Sequence, residues 1–441
     1  MDALQACGVS PCGDVDCPSF LPSNITKANI DLLKASNARV VLDTTTGDEA
    51  SRIWVLNSDD GSIRFAANVF DNLTSASSVQ TWRAAGAGDD DATGVTFKSL
   101  SPAVPGGASI GAFAFGSFHA SAGVRVMAEG SNALLLIAQR GQHRRRCRPM
   151  GAPWRHARAP GRRAGCARRR GLSGRRVRRE PLAAAAGSFG MDGAPGGKLN
   201  GGGGSAGALH GNESLVPLVA GSAGGNGATT DNEDSIALHG TGGGGGGAVE
   251  LVAGAKLAVS STGGVFSPGY GGTGGRGKDA EPSPSFGSGG GGGSGGAVLL
   301  EAPLVVVLGT VAVGGGGGGQ GADETTNAPL LPFLTGASGA AAYRGLAGTP
   351  IAAAGAGGCR SMTSGVTTAG YGGCGGDGSN ATGVALPGVD ARNGGGGGGG
   401  AGRIRINSAS PSTRTVAATL LPEGASSLGA LDQCTGELCE P

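Results

Sequence analysis

Runs of consecutive glycines recur along this chain, and each is followed by a short segment rich in valine and leucine. The clearest pairs are Gly242–Gly247 with Ala248–Val252, Gly289–Gly293 with Ala297–Ala302, and Gly394–Gly400 with Arg403–Asn407. Glycine loses more backbone entropy on ordering than any other residue, so these runs do not drive folding. We therefore expect long glycine loops attached to a repeated unit that does fold.

The apolar segments predict that this unit is made of strands. Placing Ala248 against Ala297 aligns GGAVELVAGAKLAV with GGAVLLEAPLVVVL, an offset of 49 residues. Periods of 20–50 residues are typical of solenoids, and nearly continuous apolar strands are typical of buried parallel sheets. The predicted fold class is all-β: a right-handed parallel β-helix, or solenoid, with long polyglycine loops, preceded by a smaller β region.

The composition sets limits on the core. Of 441 residues 93 are glycine, and aromatic residues make up only 4%. Glycine at about three times its usual share leaves little apolar surface for a single thick core. A mean hydropathy near zero still argues against general disorder. A thin core that is shared between stacked repeats agrees with both observations.

Strand patterns also precede the repeats. Ser58-Asp59-Asp60-Gly61 between Ile53–Leu56 and Ile63–Phe65 predicts a hairpin, and Ala133–Ala138 (ALLLIA) predicts a buried strand. The resulting divisions are a cysteine-bearing leader (1–36), an N-terminal β region (37–138), an anomalous Arg-rich segment (139–185), the Gly-rich repeats (186–407) and a C-terminal cap (408–441).

The segment 139–185 differs in charge from the rest of the chain. Sixteen of the 34 Lys and Arg residues lie in Arg140–Arg179, and outside residues 140–180 the chain has 18 basic residues against 31 acidic ones. The mixture of Arg, Ala, Gly and Pro is what a GC-rich gene yields when it is read out of frame. One choice of codons for Gln139–Arg148 encodes a strand-like S-A-A-N-I-D-V-A-A-D in the next frame.

Two interpretations of this segment stay open. One is a compensated pair of frameshifts. The other is a basic arm that binds polyanions through Arg140–Arg179 by neutralising their charge. Trp154 is its only aromatic residue, so base stacking has little support and nucleic acid is not an expected partner.

Nine cysteines occur in groups near the termini, in the Arg-rich segment and in one Gly-rich stretch. Local groups of this kind predict disulfides formed in an oxidising compartment. The candidates are Cys359, Cys374, Cys434 and Cys439. Zinc is the competing interpretation, but there is no CxxC pair and the histidines are distant in sequence.

Met1–Cys7 has neither the basic start nor the apolar run of a signal peptide. The sequence contains no run of eighteen apolar residues, so no membrane span is predicted. Because the cysteine pattern indicates export, we expect a true start further upstream that includes a Sec or lipoprotein signal. The expected location is extracellular or at the cell surface, including as an outer-membrane lipoprotein.

Three stretches match GGxGxD, the opening of the calcium-binding nonapeptide of β-rolls: Gly274–Asp279, Gly318–Asp323 and Gly372–Asp377. They are not in tandem and lack the apolar residue that should follow the aspartate. The acidic run Asp89-Asp90-Asp91 is a second kind of candidate. Calcium is the only cofactor considered, with Asp89, Asp90, Asp91, Asp279, Asp323 and Asp377 as candidate ligands.

No catalytic residues are predicted. The GxGxxG matches are followed by strands rather than by the helix that phosphate binding requires. The GxSxG matches around Ser205 and Ser294 lack the strand and helix of a nucleophile elbow. Basic residues in the repeats are few and scattered, which argues against a polysaccharide lyase. The chain is therefore expected to be non-enzymatic.

The segments GGGGGSGGAVLLEAPLVVVLGTVAVGGGGGG, GGGGGGGAGRIRIN and AGVRVMAEGSNALLLIA resemble the Gly-rich secreted proteins and lipoproteins that are abundant in myxobacteria. The resemblance covers residues 37–138 and 187–441, and residues 139–185 depart from it. It implies a surface location and a β-helix-like fold, and it brings no established activity.

The expected function is structural or adhesive, with surface or extracellular matrix components, including glycans, as partners. The alternatives are a carbohydrate-binding or polysaccharide-cleaving β-helix protein, and polyanion binding through Arg140–Arg179. A cleft with clustered Asp and basic residues would favour the carbohydrate-active alternative.

Overall fold

The computed structural model describes residues 22–26, 29, 39–42, 52–67, 79–102, 105, 107–120, 124–138, 150–151, 186–197, 204–228, 239–278, 285–322, 377–379, 385–390, 394–422 and 426–431. These residues are all-β, with no α-helix among them and a 3-10 turn at Pro411–Thr413. No helix in the described part of the chain has the length and apolar composition of a membrane span.

The strands in the N-terminal half are β1 (Arg39–Leu42), β2 (Arg52–Asn57), β3 (Ile63–Ala67), β4 (Val79–Arg83), β5 (Gly88–Asp90), β6 (Val95–Leu100), β7 (Ile110–Phe115), β8 (Ser117–Ala120), β9 (Arg125–Glu129), β10 (Ala133–Ala138) and β11 (Met150–Gly151). Those that follow are β12 (Ala248–Ala253), β13 (Lys256–Val259), β14 (Gly264–Phe266), β15 (Gly277–Lys278), β16 (Ser285–Phe286), β17 (Ala297–Glu301), β18 (Leu304–Val307), β19 (Thr310–Ala312), β20 (Arg403–Ser408), β21 (Arg414–Val416), β22 (Thr419–Leu421) and β23 (Ser426–Ala430).

The largest sheet has eight strands in the order β5-β6-β7-β10-β12-β17-β20-β23. From β7 to β23 every pair is parallel, whereas β5, β6 and β7 pair antiparallel at one edge. Ala248 pairs with Ala297 and Val249 with Val298. The 49-residue alignment predicted from the sequence is therefore confirmed as the register of neighbouring strands.

Two further parallel sheets have the orders β13-β18-β21 and β11-β14-β19-β22. Each repeat thus contributes one strand to the large sheet and then one to each of these two, in the same sequence each time. The last such set is β20, β21 and β22. None of the three sheets closes on itself.

The N-terminal region forms a mixed sheet in the order β4-β3-β2-β9, and β1 pairs with β8. The predicted hairpin is present between β2 and β3, which are antiparallel. Gly61 in its turn has φ +76°, a conformation that favours glycine. The parallel pairing of β2 with β9 joins the hairpin to the rest of the fold.

The central strands of the large sheet, β7, β10, β12 and β17, are buried on both faces, which explains their nearly continuous apolar sequence. On one face Val298, Leu300 and Ile404 pack with Val305 and Val311 from the other two sheets. On the opposite face, which we call the outer face, Leu135 and Leu299 pack under Ile25, Phe189 and Leu215. The outer face is thus covered by segments that are distant in sequence.

The glycine runs differ from the exposed loops that the sequence predicts. Residues 287–296 and 394–400 are buried throughout. Their amides bond to other glycine segments at every third residue: Gly240, Gly243 and Gly246 donate to Ser288, Gly291 and Ser294. Residues 290, 293 and 296 donate in turn to Thr273, Tyr270 and Ser267, which run in the opposite direction. A hydrogen-bond pattern that repeats every three residues matches the three residues per turn of a polyproline II helix. Because these segments are buried and bonded to one another, they form a packed bundle.

The bundle continues the spacing of the sheet. Residues 239–247, 287–296 and 394–402 lead directly into β12, β17 and β20, and neighbouring strands lie about 4.8 Å apart. Unlike the strands, the glycine segments have hydrogen-bonded backbone neighbours on several sides, which leaves no room for side chains between them. A Cβ added to Gly243 would lie 1.9 Å from the Tyr270 carbonyl oxygen, and one on Gly295 would lie 1.8 Å from that of Val313. Glycine is required here by close approach, and no sequence pattern in a single run reveals this.

Candidate functional site

The acidic run that the sequence singled out lies at the end of β5. Asp89 accepts a hydrogen bond from the Thr96 hydroxyl. Asp90 accepts from the Ala92 amide at 3.1 Å and from the Thr93 hydroxyl at 2.8 Å. Asp91 is exposed. The first two carboxylates are therefore engaged in local turn and cross-strand hydrogen bonds.

A buried arginine lies beside this run. Arg83 is 2% exposed, and its guanidinium donates to the carbonyl oxygens of Gly61 (2.6 Å), Ala84 (3.0 Å), Gly86 (3.0 Å), Gly88 (3.0 Å) and Val95 (3.3 Å). Burial lowers the pKa of Arg83, and the charges of Asp90, Asp60 and Asp89 oppose that change. An arginine with so high an ordinary pKa stays charged. Carbonyl oxygens and carboxylates could hold a metal ion. Here these groups surround the Arg83 guanidinium instead, which already supplies the positive charge.

Of the remaining calcium and disulfide candidates, the structure describes Asp377 alone. Asp377 is exposed, and its carbonyl oxygen accepts from the Leu386 amide at 2.8 Å. Asp279, Asp323, Cys359, Cys374, Cys434 and Cys439 lie outside the described residues. Within the described ranges, no three His, Cys, Asp or Glu side chains are grouped as a metal site. Calcium binding by these aspartates stays a prediction.

The strongest concentration of unusual chemistry is a pair of buried glutamates. Glu250 on β12 is 0% exposed and Glu301 on β17 is 1% exposed. Glu250 pairs with Leu299, and Val252 pairs with Glu301, so the two glutamates are diagonal neighbours. Successive residues of a strand alternate between faces, so both point to the outer face.

Glu301 is fully surrounded by donors. Its carboxylate accepts from the Ser23 amide at 2.9 Å, from the Ser23 hydroxyl at 2.6 Å and from the Asn407 side chain at 2.7 Å. Asn407 is the register partner of Glu301 on β20. The side-chain oxygen Oδ1 of Asn407 in turn accepts from Arg405 Nε at 2.8 Å. This network satisfies the Glu301 carboxyl group with three hydrogen bonds from the protein.

Residues 22–26 form the lid over the pair, and we call them the cover segment. The side chain of Asn24, which is 2% exposed, donates to the Leu215 carbonyl at 3.0 Å and accepts from the Leu218 amide at 2.8 Å. Ile25 is buried in the apolar cluster on the outer face. The cover segment thus binds both the glutamate pair and a distant loop.

Glu250 contrasts with Glu301, because neither of its carboxyl oxygens has a hydrogen-bond partner among the described residues. Burial raises the pKa of Glu250 well above its ordinary value, and the charge of Glu301 adds to the rise, while Asn24 opposes it. An isolated ionised carboxylate is very costly in an apolar environment. With no bound cation, the surroundings therefore favour the neutral, protonated form of Glu250.

Neither this pair nor Arg83 is among the residues that the sequence motifs predict. A signal for the pair was present: a glutamate interrupts the strand AVELVA, and another ends AVLLE, although both strands are otherwise apolar. The pairing itself depends on the register and on residues 22–26, which no local motif indicates. Arg83 belongs to no motif.

No protein-family model matches the chain, and no match is found among curated proteins or solved structures. The structure by itself defines an all-β protein with stacked parallel sheets and a buried carboxylate pair.

Proposed function

We propose that this chain is a non-enzymatic structural protein of the cell surface or extracellular space. In this proposal the three parallel sheets are the faces of a right-handed β-helix, and the polyglycine bundle is a rigid extension of one side of it. The constant order of strands in each repeat supports the β-helix, because each turn of such a coil adds one strand to every face.

The observation that carries the proposal is the burial and hydrogen bonding of the glycine runs. Gly289, Gly292 and Gly295 donate to Gly394, Gly397 and Gly400, and residues 287–296 are buried. A large part of the chain is thus used for a bundle interior that has almost no side chains. Backbone hydrogen bonds give such a body rigidity without the reactive or charged groups that catalysis needs.

The geometry gives less support to a polysaccharide-cleaving enzyme. Two carboxylates are the usual catalytic groups of glycoside hydrolysis, and Glu250 with Glu301 is the buried pair. Both side chains are almost completely inaccessible beneath the cover segment, so a polymer chain does not reach them. Polyanion binding through Arg140–Arg179 concerns residues outside the described ranges.

Surface protease digestion of intact cells of the source organism tests the proposal. Cleavage of the protein on intact cells is expected, together with altered adhesion or envelope mechanics in a deletion strain. Complementation by the wild-type chain should restore the normal phenotype. Protection of the protein until the cells are lysed would contradict a surface location. Normal adhesion and envelope mechanics in the deletion strain would contradict the structural assignment.

A further inference from the structure

Burying two carboxyl groups side by side is costly in free energy. Hydrogen bonds from the surrounding protein offset this cost at Glu301 but not at Glu250. Three hydrogen bonds from Ser23 and Asn407 satisfy the Glu301 carboxylate. Glu250 is equally buried, faces the same site and has no hydrogen-bond partner for either oxygen among the described residues. Buried polar groups are nearly always partnered, so an orphaned carboxyl group indicates a missing ligand.

Among the described residues, a cationic side chain of the same sheet row is committed elsewhere. Arg405 lies in the same row of the sheet as Glu250, with Leu299 between them. Its guanidinium donates to Asn407 and to the Ser427 hydroxyl, at 2.8 and 3.4 Å. Glu213, an acidic residue of the neighbouring loop, is exposed. No ion pair with a described cationic side chain therefore balances the charge of the two glutamates.

We propose that Glu250 and Glu301 bind one calcium ion beneath the cover segment. A divalent cation neutralises both carboxylates and supplies the missing partner for the Glu250 oxygens. The candidate ligands at the site are oxygens: the two carboxylates, the Ser23 hydroxyl and the Asn24 side-chain oxygen, which also accepts from the Leu218 amide. The nitrogens of the Ser23 amide and the Asn407 side chain donate to Glu301 and would stay outside the coordination of the ion. Calcium prefers oxygen ligands and tolerates irregular geometry, whereas magnesium demands a near-ideal octahedron and zinc usually takes nitrogen or sulfur.

Binding at this position would join three separate parts of the chain. Glu250 and Glu301 belong to adjacent repeats, and Ser23 and Asn24 belong to the cover segment, which also holds Leu215 and Leu218. Calcium would therefore fasten the cover segment to the large sheet. This site is distinct from the candidates Asp89, Asp90 and Asp91, and the inference does not depend on a surface location.

The first experiment uses the full-length protein after treatment with a chelator. Calcium chloride is titrated by calorimetry, and the melting temperature is recorded with chelator, with calcium and with magnesium. We expect one calcium ion bound per chain, a melting temperature raised by several degrees in calcium, and a smaller effect of magnesium. Hydrogen exchange of the Leu218 amide, which Asn24 holds, should slow when calcium is added.

Variants locate the ion. Glu250→Gln keeps the shape of the side chain and removes its charge, and should lower calcium affinity by at least tenfold. Asp91→Asn, at the exposed acidic run, is the matched control and should bind as the wild type does. If the wild type shows no calcium response, the proposal is wrong, and the glutamates share a proton instead. Equal calcium binding by Glu250→Gln and the wild type would also overturn it. If the variant does not fold, calcium-dependent slowing of Leu218 exchange in the wild type decides the question.

Discussion

The amide of Gly243 donates to the carbonyl oxygen of Gly291 at 2.8 Å, and the next residue, Gly292, is the one that the register of β12 and β17 places beside Gly243. The glycine segments therefore keep the same register as the strands that follow them. The large sheet and the bundle are stacked at one common spacing, and glycine is the residue that permits that spacing outside the strands.

A first prediction concerns the interior of the bundle. A Cβ on Gly293 would lie 2.1 Å from the Gly244 carbonyl oxygen. Gly293 and Gly244 belong to backbone segments that cannot move independently of each other. We expect Gly293→Ala to lower the free energy of unfolding by about 3 kcal/mol, the usual upper range for overpacking. Urea denaturation of the full-length protein measures this change.

Gly244 provides the matched control for this prediction. A Cβ at Gly244 would approach only the Tyr270 ring, at 3.7 Å, which is an ordinary contact. Gly244→Ala should change the free energy of unfolding by less than about 1 kcal/mol, and reduced unfolded-state entropy would favour the variant. Equal losses in the two variants would mean that composition, rather than close approach, explains the glycines.

A second prediction concerns the buried guanidinium. Arg83→Met would leave the carbonyl oxygens of Gly61 and Val95, both at buried contacts, without this donor. Each buried unsatisfied polar group costs about 1–3 kcal/mol, so we expect a loss of roughly 2–5 kcal/mol in unfolding free energy. Lys98→Met on the neighbouring strand β6 removes an exposed cation and should stay within about 0.5 kcal/mol. A similar small effect for both variants would show that the carbonyls find other partners.

The sequence predicts the repeat better than it predicts the site. The pairing of Ala248 with Ala297 follows from the apolar pattern alone, and the turn at Gly61 follows from local chemistry. The bundle does not, because its hydrogen bonds join segments such as residues 240–246 and 288–294 that carry no side-chain pattern. The glutamate pair is partly predictable. The sequence shows each glutamate as a charged residue in an otherwise apolar strand, but the proximity of the two depends on the strand register.

A third prediction concerns the cover segment. Asn24→Ala removes two buried hydrogen bonds, to Leu215 and to Leu218. We expect a loss of about 2 kcal/mol and faster exchange of the Leu218 amide. Asn226→Ala removes one hydrogen bond, from the Gly242 amide, at an exposed position and should cost less than about 1 kcal/mol. Unchanged Leu218 exchange in Asn24→Ala would show that the segment is held by Ile25 and Ser23 instead.

A fourth prediction follows from the raised pKa of Glu250 and is measured with chelator present, so that no cation contributes. An acid whose pKa is higher in the folded protein holds its proton more tightly there than in the unfolded chain. Its contribution to stability is complete below the ordinary glutamate pKa, about 4.3, and is lost as the pH rises through the folded value. Between those limits the wild type should lose stability with increasing pH.

Glu250→Gln should remove this part of the pH dependence, because the amide does not titrate. We expect the variant to become more stable relative to the wild type as the pH rises from 5 to 9 (approximate limits set by the ordinary pKa values), with a gain of about 1 kcal/mol or more at the upper end. Glu213→Gln, at an exposed carboxyl, should leave the pH profile unchanged. The measurement is the unfolding free energy in urea at a series of pH values. A constant difference between Glu250→Gln and the wild type would mean that Glu250 has the same pKa in the folded and unfolded chains, and that the surrounding segments admit enough water to solvate it.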